Sequence, residues 1–176
     1  MRDLFEDTIN ILDHITPEND ETLDETALKY VEWCKTKAEL KYGKLDDDGV
    51  FHAKKYPNFP VFHSGIYWAH LGINIGSEEN KHRPVLLLRA SRQSDQCTII
   101  PLSTQKLNDE WDFHVDLTGY DNTALVEHLR VISKMRLDKP MRSKGKISSV
   151  SDEDMEIIYE QINKFFGTLP PKKKNN

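Results

Sequence analysis

The chain has 176 residues, 38% hydrophobic and 30% charged, with a mean hydropathy of -0.64. That is enough for one domain with its own core, or for a small domain and an appendage, and it is too polar for a chain built into lipid. The formal net charge of -5 argues against a polyanionic ligand only while the chain is taken whole: residues 1–50 hold 14 acids against 6 Lys/Arg, a balance of -8, and residues 51–176 hold 15 acids against 18 Lys/Arg, a balance of +3.

The first 48 residues read as an acidic helical extension. Leu4, Phe5, Ile9, Ile11, Leu12 and Ile15 are spaced for one amphipathic helix, and Thr16-Pro17 breaks it. Leu23, Ala27, Val31, Cys34 and Ala38 recur every three or four residues and predict a second helix over about 20–41, closed by Tyr42-Gly43. The run Asp46-Asp47-Asp48-Gly49 lacks the alternation and distal Glu of a calcium loop and reads as a solvated turn. Residues 49–61, with Pro57 and Pro60, are expected to be a connector. Early acids in Met1–Asp7 leave no room for the apolar core of a secretory leader, and no apolar run reaches bilayer length, so no membrane association is expected and the expected compartment is the cytoplasm. Cys34 and Cys97 lie far apart, without zinc-like spacing, and are expected to be reduced thiols.

From Gly65 the period changes to that of strands. Ile66–Leu71, Pro84–Arg89 and Cys97–Leu102 are short strands, the last two nearly all apolar and so expected to be buried. Phe113, Val115 and Leu117 alternate with Asp112, His114 and Asp116, as in a half-buried strand. Ala124–Ser133 is ambiguous between strand and helix. Ser151-Asp152-Glu153-Asp154 starts a last helix with Met155, Ile158, Ile162, Phe165 and Phe166 on its apolar face, stopped by Gly167 and Pro170. Residues 168–176 are a basic tail. The expected fold class is α+β and mainly β: a small barrel or sandwich with helices at both ends.

Two polar clusters interrupt the strands. Gly76-Ser-Glu-Glu-Asn-Lys-His-Arg-Pro84 places carboxylates, an imidazole and two cations in one loop, and Ser103-Thr-Gln105 follows a buried strand, where side chains are held firmly. Together with Gly65-Ile-Tyr-Trp68, Pro101-Leu, Ala124–Ile132, Gly145-Lys-Ile147 and Ser151–Met155, these segments resemble, in order and spacing, the MazF/PemK toxins over residues 62–167. Residues 1–61 match nothing in that pattern.

The resemblance implies an SH3-like barrel with a C-terminal helix, a homodimer, cleavage of single-stranded RNA without metal or cofactor, and inactivation by a cognate antitoxin. It places the family's catalytic arginine on Arg83, its threonine position on Ser103, its loop carboxylate on Glu78, and an acid of some relatives on Glu127. The sequence departs from the family at Ser103, at His128 where glutamine is common, and at Ile66 where an acid is usual.

The chemistry supports the same residues. Cleavage by the substrate's own 2′-hydroxyl needs a proton acceptor, charge stabilisation of a pentavalent phosphorane and a proton for the departing 5′-oxygen. The guanidinium of Arg83 suits phosphate oxygens and, with its very high pKa, suits charge stabilisation better than proton donation. Ser103 offers a hydrogen bond to the same phosphate. Glu78 or His82 is the expected acceptor, His82 having the better intrinsic pKa. Ser77, Lys81, Thr104, Gln105, Trp68, Glu127 and Arg130 are the expected RNA contacts, although Trp68 suits a core or dimer interface better than base stacking and Thr104 suits a turn almost as well. A non-catalytic binding module on the same barrel, a gyrase poison or an inactive regulator, is the alternative. A metal-dependent nuclease ranks below both, because no carboxylate or His/Cys cluster shows ligand spacing. The acidic extension is expected to be a docking or dimer-stabilising helical pair, with mimicry of RNA or antitoxin over the basic groove as the other possibility.

Overall fold

A computed structural model describes residues 6–8, 10–11 and 21–167. The chain divides into two compact units, Met1–Lys54 and Lys55–Asn176. Most of the first expected helix, and the whole basic tail, lie outside the described residues.

The first unit carries helix α1 (Glu21–Tyr42) and the strands β1 (Gly43–Leu45) and β2 (Phe51–Ala53), paired antiparallel. Gly43 joins helix to hairpin at φ +129°, where a Cβ would run into the His52 carbonyl, so the position needs glycine. The aspartate run turns the hairpin. The Asp46 carboxylate accepts hydrogen bonds from the amides of Asp48 (3.1 Å) and Val50 (2.8 Å) and pairs with His52 at 2.6 Å. The connector expected from residue 49 therefore begins with a strand, made by a side-chain-closed turn. The apolar stripe of α1 has the helical period but little burial: Val31, Cys34 and Ala38 are exposed. Among the described residues, every buried hydrophobic side chain lies between Ile66 and Ile158.

The second unit is built on β3 (Ile66–Gly72), β4 (Lys81–Ala90), β5 (Gln96–Ser103), β6 (His114–Asp116), β7 (Thr123–Leu125), β8 (Arg130–Ser133) and β9 (Leu137–Pro140), with a small β10–β11 hairpin (Arg142–Ser143, Lys146–Ile147) and helix α2 (Asp152–Phe165). The ambiguous stretch 124–133 divides into strand, a 3-10 turn (Val126–His128) and strand. The sheet runs β6-β7-β5-β4-β3-β9, all antiparallel, with β8 also on β5. One edge of β5 is thus shared, its first half with β8 and its last two residues with β7. This curls the sheet into a barrel-like form without closing it.

Alternation along the strands gives two cores, one on each face. Ile66, Leu86, Ile100, Leu102 and Val115 meet Met155 and Ile158 of α2 on one face. Tyr67, Val85, Leu87, Ile99 and Ile132 pack on the other. Tyr67 also ties in residues of the expected connector: its hydroxyl donates to the Pro60 carbonyl (3.0 Å) and accepts from the Phe62 amide (3.1 Å), and its ring stacks on Phe59. The start of α2 follows the capping pattern, with Ser151 Oγ accepting from the Asp154 amide at 3.1 Å. Asp154 is itself buried and accepts from the Thr118 amide (2.8 Å) and hydroxyl (3.0 Å), which fixes α2 to the turn after β6.

Candidate active site

Arg83 projects from β4 on the face of the Tyr67 core, opposite Ala69. Val85 pairs with Pro101 in the β4–β5 ladder. Two residues further on each strand, the same register brings Arg83 and Ser103 to the same face at the strand ends. Arg130, opposite Ile99 on β8, lies on that face too. So does His114, because Ser103 pairs with Thr123, and Leu125, two residues on, pairs with His114.

The loop between β3 and β4 closes over this group. Arg83 Nε donates to the Asn80 carbonyl at 2.8 Å, and its guanidinium forms an ion pair with Glu79; both side chains are about four-fifths buried. The Glu79 carbonyl accepts from Asn74 Nδ2 at 2.7 Å and from the Arg130 guanidinium. Burial pulls the Arg130 pKa below its ordinary value, the charges of Arg136 and Arg83 add to this, and Glu78 and Glu79 oppose it. Burial does the same to Arg136, which donates to the His70 and Leu71 carbonyls. Three guanidinium groups and the Glu79 carboxylate thus share one partly dry corner, with exposed Glu78 at its edge. It is a place where a phosphate would meet concentrated positive charge.

On the β6–β7 side, His114 bridges two acids. Its Nδ1 lies 2.8 Å from Asp109 and its Nε2 2.8 Å from Glu127. Desolvation works against ionisation of Asp109, yet hydrogen bonds from His114 and the Trp111 amide hold its carboxyl below the ordinary value. The second Glu127 oxygen and Arg130 Nε are buried with no hydrogen-bond partner among the described residues. A buried polar atom in that state is costly unless a ligand completes it.

The residues singled out in the sequence divide among these surroundings. Arg83, Ser103 and Arg130 share one face, and Glu127 joins it through His114. Ser77 and Glu78 are exposed on the β3–β4 loop, and Lys81 is exposed where that loop enters β4 with φ +69°. Thr104 and Gln105 are exposed just beyond β5, and the Gln105 amide donates to Ser103 Oγ at 3.2 Å. His82 stands apart. It neighbours Arg83 in sequence, so it faces the other side of β4, opposite His70. There it stacks on Trp68 at 5.3 Å and lies 3.3 Å from Asp138. Trp68 is half-buried on that side and away from Arg83. Glu79, His114, Asp109 and Arg136 were not singled out in the sequence. The one available signal was the double acid Glu78-Glu79, whose members only the loop geometry separates.

Residues 63–166 match the sequence profile of the PemK-like, MazF-like toxin of type II toxin-antitoxin systems. The chain belongs to this family. No curated protein sequence matches it closely. Among solved structures, it resembles MazF (Form-I) from Deinococcus radiodurans with a TM-score of 0.50 and 15% identity over 65% of this chain and 99% of that one. It resembles the MazE-MazF structure (Form-II) from the same organism with a TM-score of 0.50 and 14% identity over 64% of this chain and all of that one. A third, the Mycobacterium tuberculosis toxin MazF-mt6, has a TM-score of 0.43 and 17% identity over 58% of this chain and 96% of that one. The MazF fold thus accounts for the curled sheet and its C-terminal helix, and the profile leaves residues 1–62 unmatched. Among the described residues, no helix is long and apolar enough to cross a membrane.

Proposed function

We propose that the MazF/PemK domain, residues 62–167, is an endoribonuclease that cuts single-stranded RNA at specific sequences without metal or cofactor, and that a cognate antitoxin holds it inactive. The observation that carries this reading is the shared face of Arg83 and Ser103 at the ends of β4 and β5, beside the Arg130 guanidinium. The scissile phosphate binds there. Arg83 and Ser103 donate to its non-bridging oxygens, and their hydrogen bonds strengthen as the phosphorane gains charge. The 2′-oxygen forms a bond to phosphorus and the bond to the 5′-oxygen breaks. The 2′-hydroxyl proton passes to a carboxylate and solvent water supplies a proton to the departing 5′-oxygen, leaving a 2′,3′-cyclic phosphate and a 5′-hydroxyl.

We assign the proton acceptor to Glu79, which contacts Arg83, with Glu78 one residue away in the field of Arg130. His82 faces the other side of β4 and has no part in this step. Ser77, Lys81, Thr104 and Gln105 rim the strand ends and contact the flanking nucleotides. The domain works as a homodimer in the cytoplasm.

The test is RNA incubated in EDTA with the full chain and with Arg83→Ala. Cutting that persists in chelator and vanishes in the variant is the expected result. Cutting that stops in chelator, or survives the substitution, refutes the reading.

A further inference from the structure

We infer that His70, His82 and Asp138 form a binding site for a divalent transition-metal ion of the zinc class, on the face of the sheet turned away from Arg83 and Ser103. The site does not depend on the nuclease reading. His70 and His82 are a directly opposed pair on β3 and β4, and their rings lie 4.4 Å apart. Asp138 comes from β9, the edge strand on the other side of β3. The β3–β9 register jumps from Trp68↔Lys139 to Ala69↔Leu137, so Asp138 is the extra residue of a bulge. A bulge re-aims the side chain it carries, and here it brings the carboxylate beside the two imidazoles. The donor atoms of all three residues lie within 4.8 Å of one another.

The chemistry of the donor set selects the ion. Two imidazoles and one carboxylate are the ligands of many three-residue zinc and related sites, with solvent in the remaining positions. Metal–ligand bonds of about 2.0–2.2 Å put two donors of a tetrahedron roughly 3.3 Å apart. His82 Nε2 and Asp138 Oδ2 already stand at 3.3 Å. The 4.8 Å limit on the other separations leaves side-chain rotation to bring His70 in.

The surroundings restrict that rotation usefully. Trp68 stacks on His82 at 5.3 Å and interplanar 22°, which sets the ring plane. Arg136 donates to the His70 carbonyl at 3.0 Å and holds that end of β3. Such supporting contacts orient ligands before the metal arrives. His82 and Asp138 are partly exposed, so an ion reaches the site from solvent. Once bound, it fastens the edge strand β9 to the β3–β4 hairpin. All three ligands sit on rigid strands, and they stand too far apart in the sequence for any spacing rule to join them.

The experiment is equilibrium dialysis of the untagged full chain against Zn2+, with thermal melting alongside. The wild type should hold a single equivalent and melt at a higher temperature with the ion, as ligand linkage requires. Asp138→Asn and His70→Gln should each weaken binding about 10-fold or more and abolish the thermal shift. His52→Ala, which removes the exposed His52–Asp46 pair of the first unit, should leave both unchanged. Zn2+ uptake that disappears with His52→Ala would overturn the site. So would full uptake by a His82→Asn/Asp138→Asn double variant that melts like the wild type in the absence of metal. Neither readout involves RNA cutting, so failure here and failure of the nuclease reading are separate results.

Discussion

Arg83 is anchored at two points, its Nε on the Asn80 carbonyl and its guanidinium on Glu79. Under the proposed cleavage such a residue enters the reaction already aimed, and losing one donor to a developing oxyanion typically costs about 10²–10³ in rate. Arg83→Lys should cost nearly as much as Arg83→Ala, because a point charge replaces the fork; single-turnover cleavage rates would measure this, and a lysine variant close to wild type would assign Arg83 a bulk-charge role. Glu79→Gln should lower the single-turnover rate, while Glu78→Gln should mainly change RNA affinity. Arg83 and Ser103 stand out in the sequence because each lies at the end of an apolar strand, and the strands place both on one face. His82 adjoins Arg83 in the sequence but lies on the opposite face, because neighbours on a strand point to opposite sides. The sequence could not separate Glu78 from Glu79, since that depends on a loop with Gly76 and Lys81 at positive φ. Nor could it join His114 to Glu127, which meet only because β6 and β7 pair.

The elements divide by how strongly each carries its own signal. The strands β3, β4 and β5 are written as apolar runs, and α2 has a cap, an acidic first turn and an apolar stripe. Ser151→Ala should cost about 1 kcal/mol through the lost cap, and Ile158→Ala about 2–5 kcal/mol through the cavity under α2, both read by denaturant melts. The strands β9 to β11 are two to four residues long and largely polar, so they form by pairing with what is already folded and leave no periodic trace. Cys97 reports on β5 directly. Burial pushes its thiol up to about 11, against the pull of the Lys134 charge. Its contribution to stability is therefore intact below the ordinary thiol value of 9.0 and is lost as pH rises toward about 11. At neutral pH a thiol reagent should modify exposed Cys34 and spare Cys97 until the protein unfolds; rapid native labelling of both would contradict the burial.

On the scale of the whole molecule, the charge asymmetry read from the sequence coincides with two units of different build. Every buried hydrophobic residue among those described lies at or beyond Ile66, so a chain beginning at Lys55 should fold and melt within a few degrees of the full one. A truncated chain without cooperative melting would show that the second unit needs the first. The proposed cleavage of RNA by the second unit is tested most directly with a substrate lacking one atom. Once the cleavage position is mapped, an oligonucleotide carrying 2′-deoxyribose at that nucleotide alone should resist the enzyme in EDTA, while the all-ribose control yields a 2′,3′-cyclic phosphate and a 5′-hydroxyl. Equal cutting of both substrates, or a 5′-phosphate on the product, would contradict attack by the 2′-hydroxyl at the Arg83–Ser103 face.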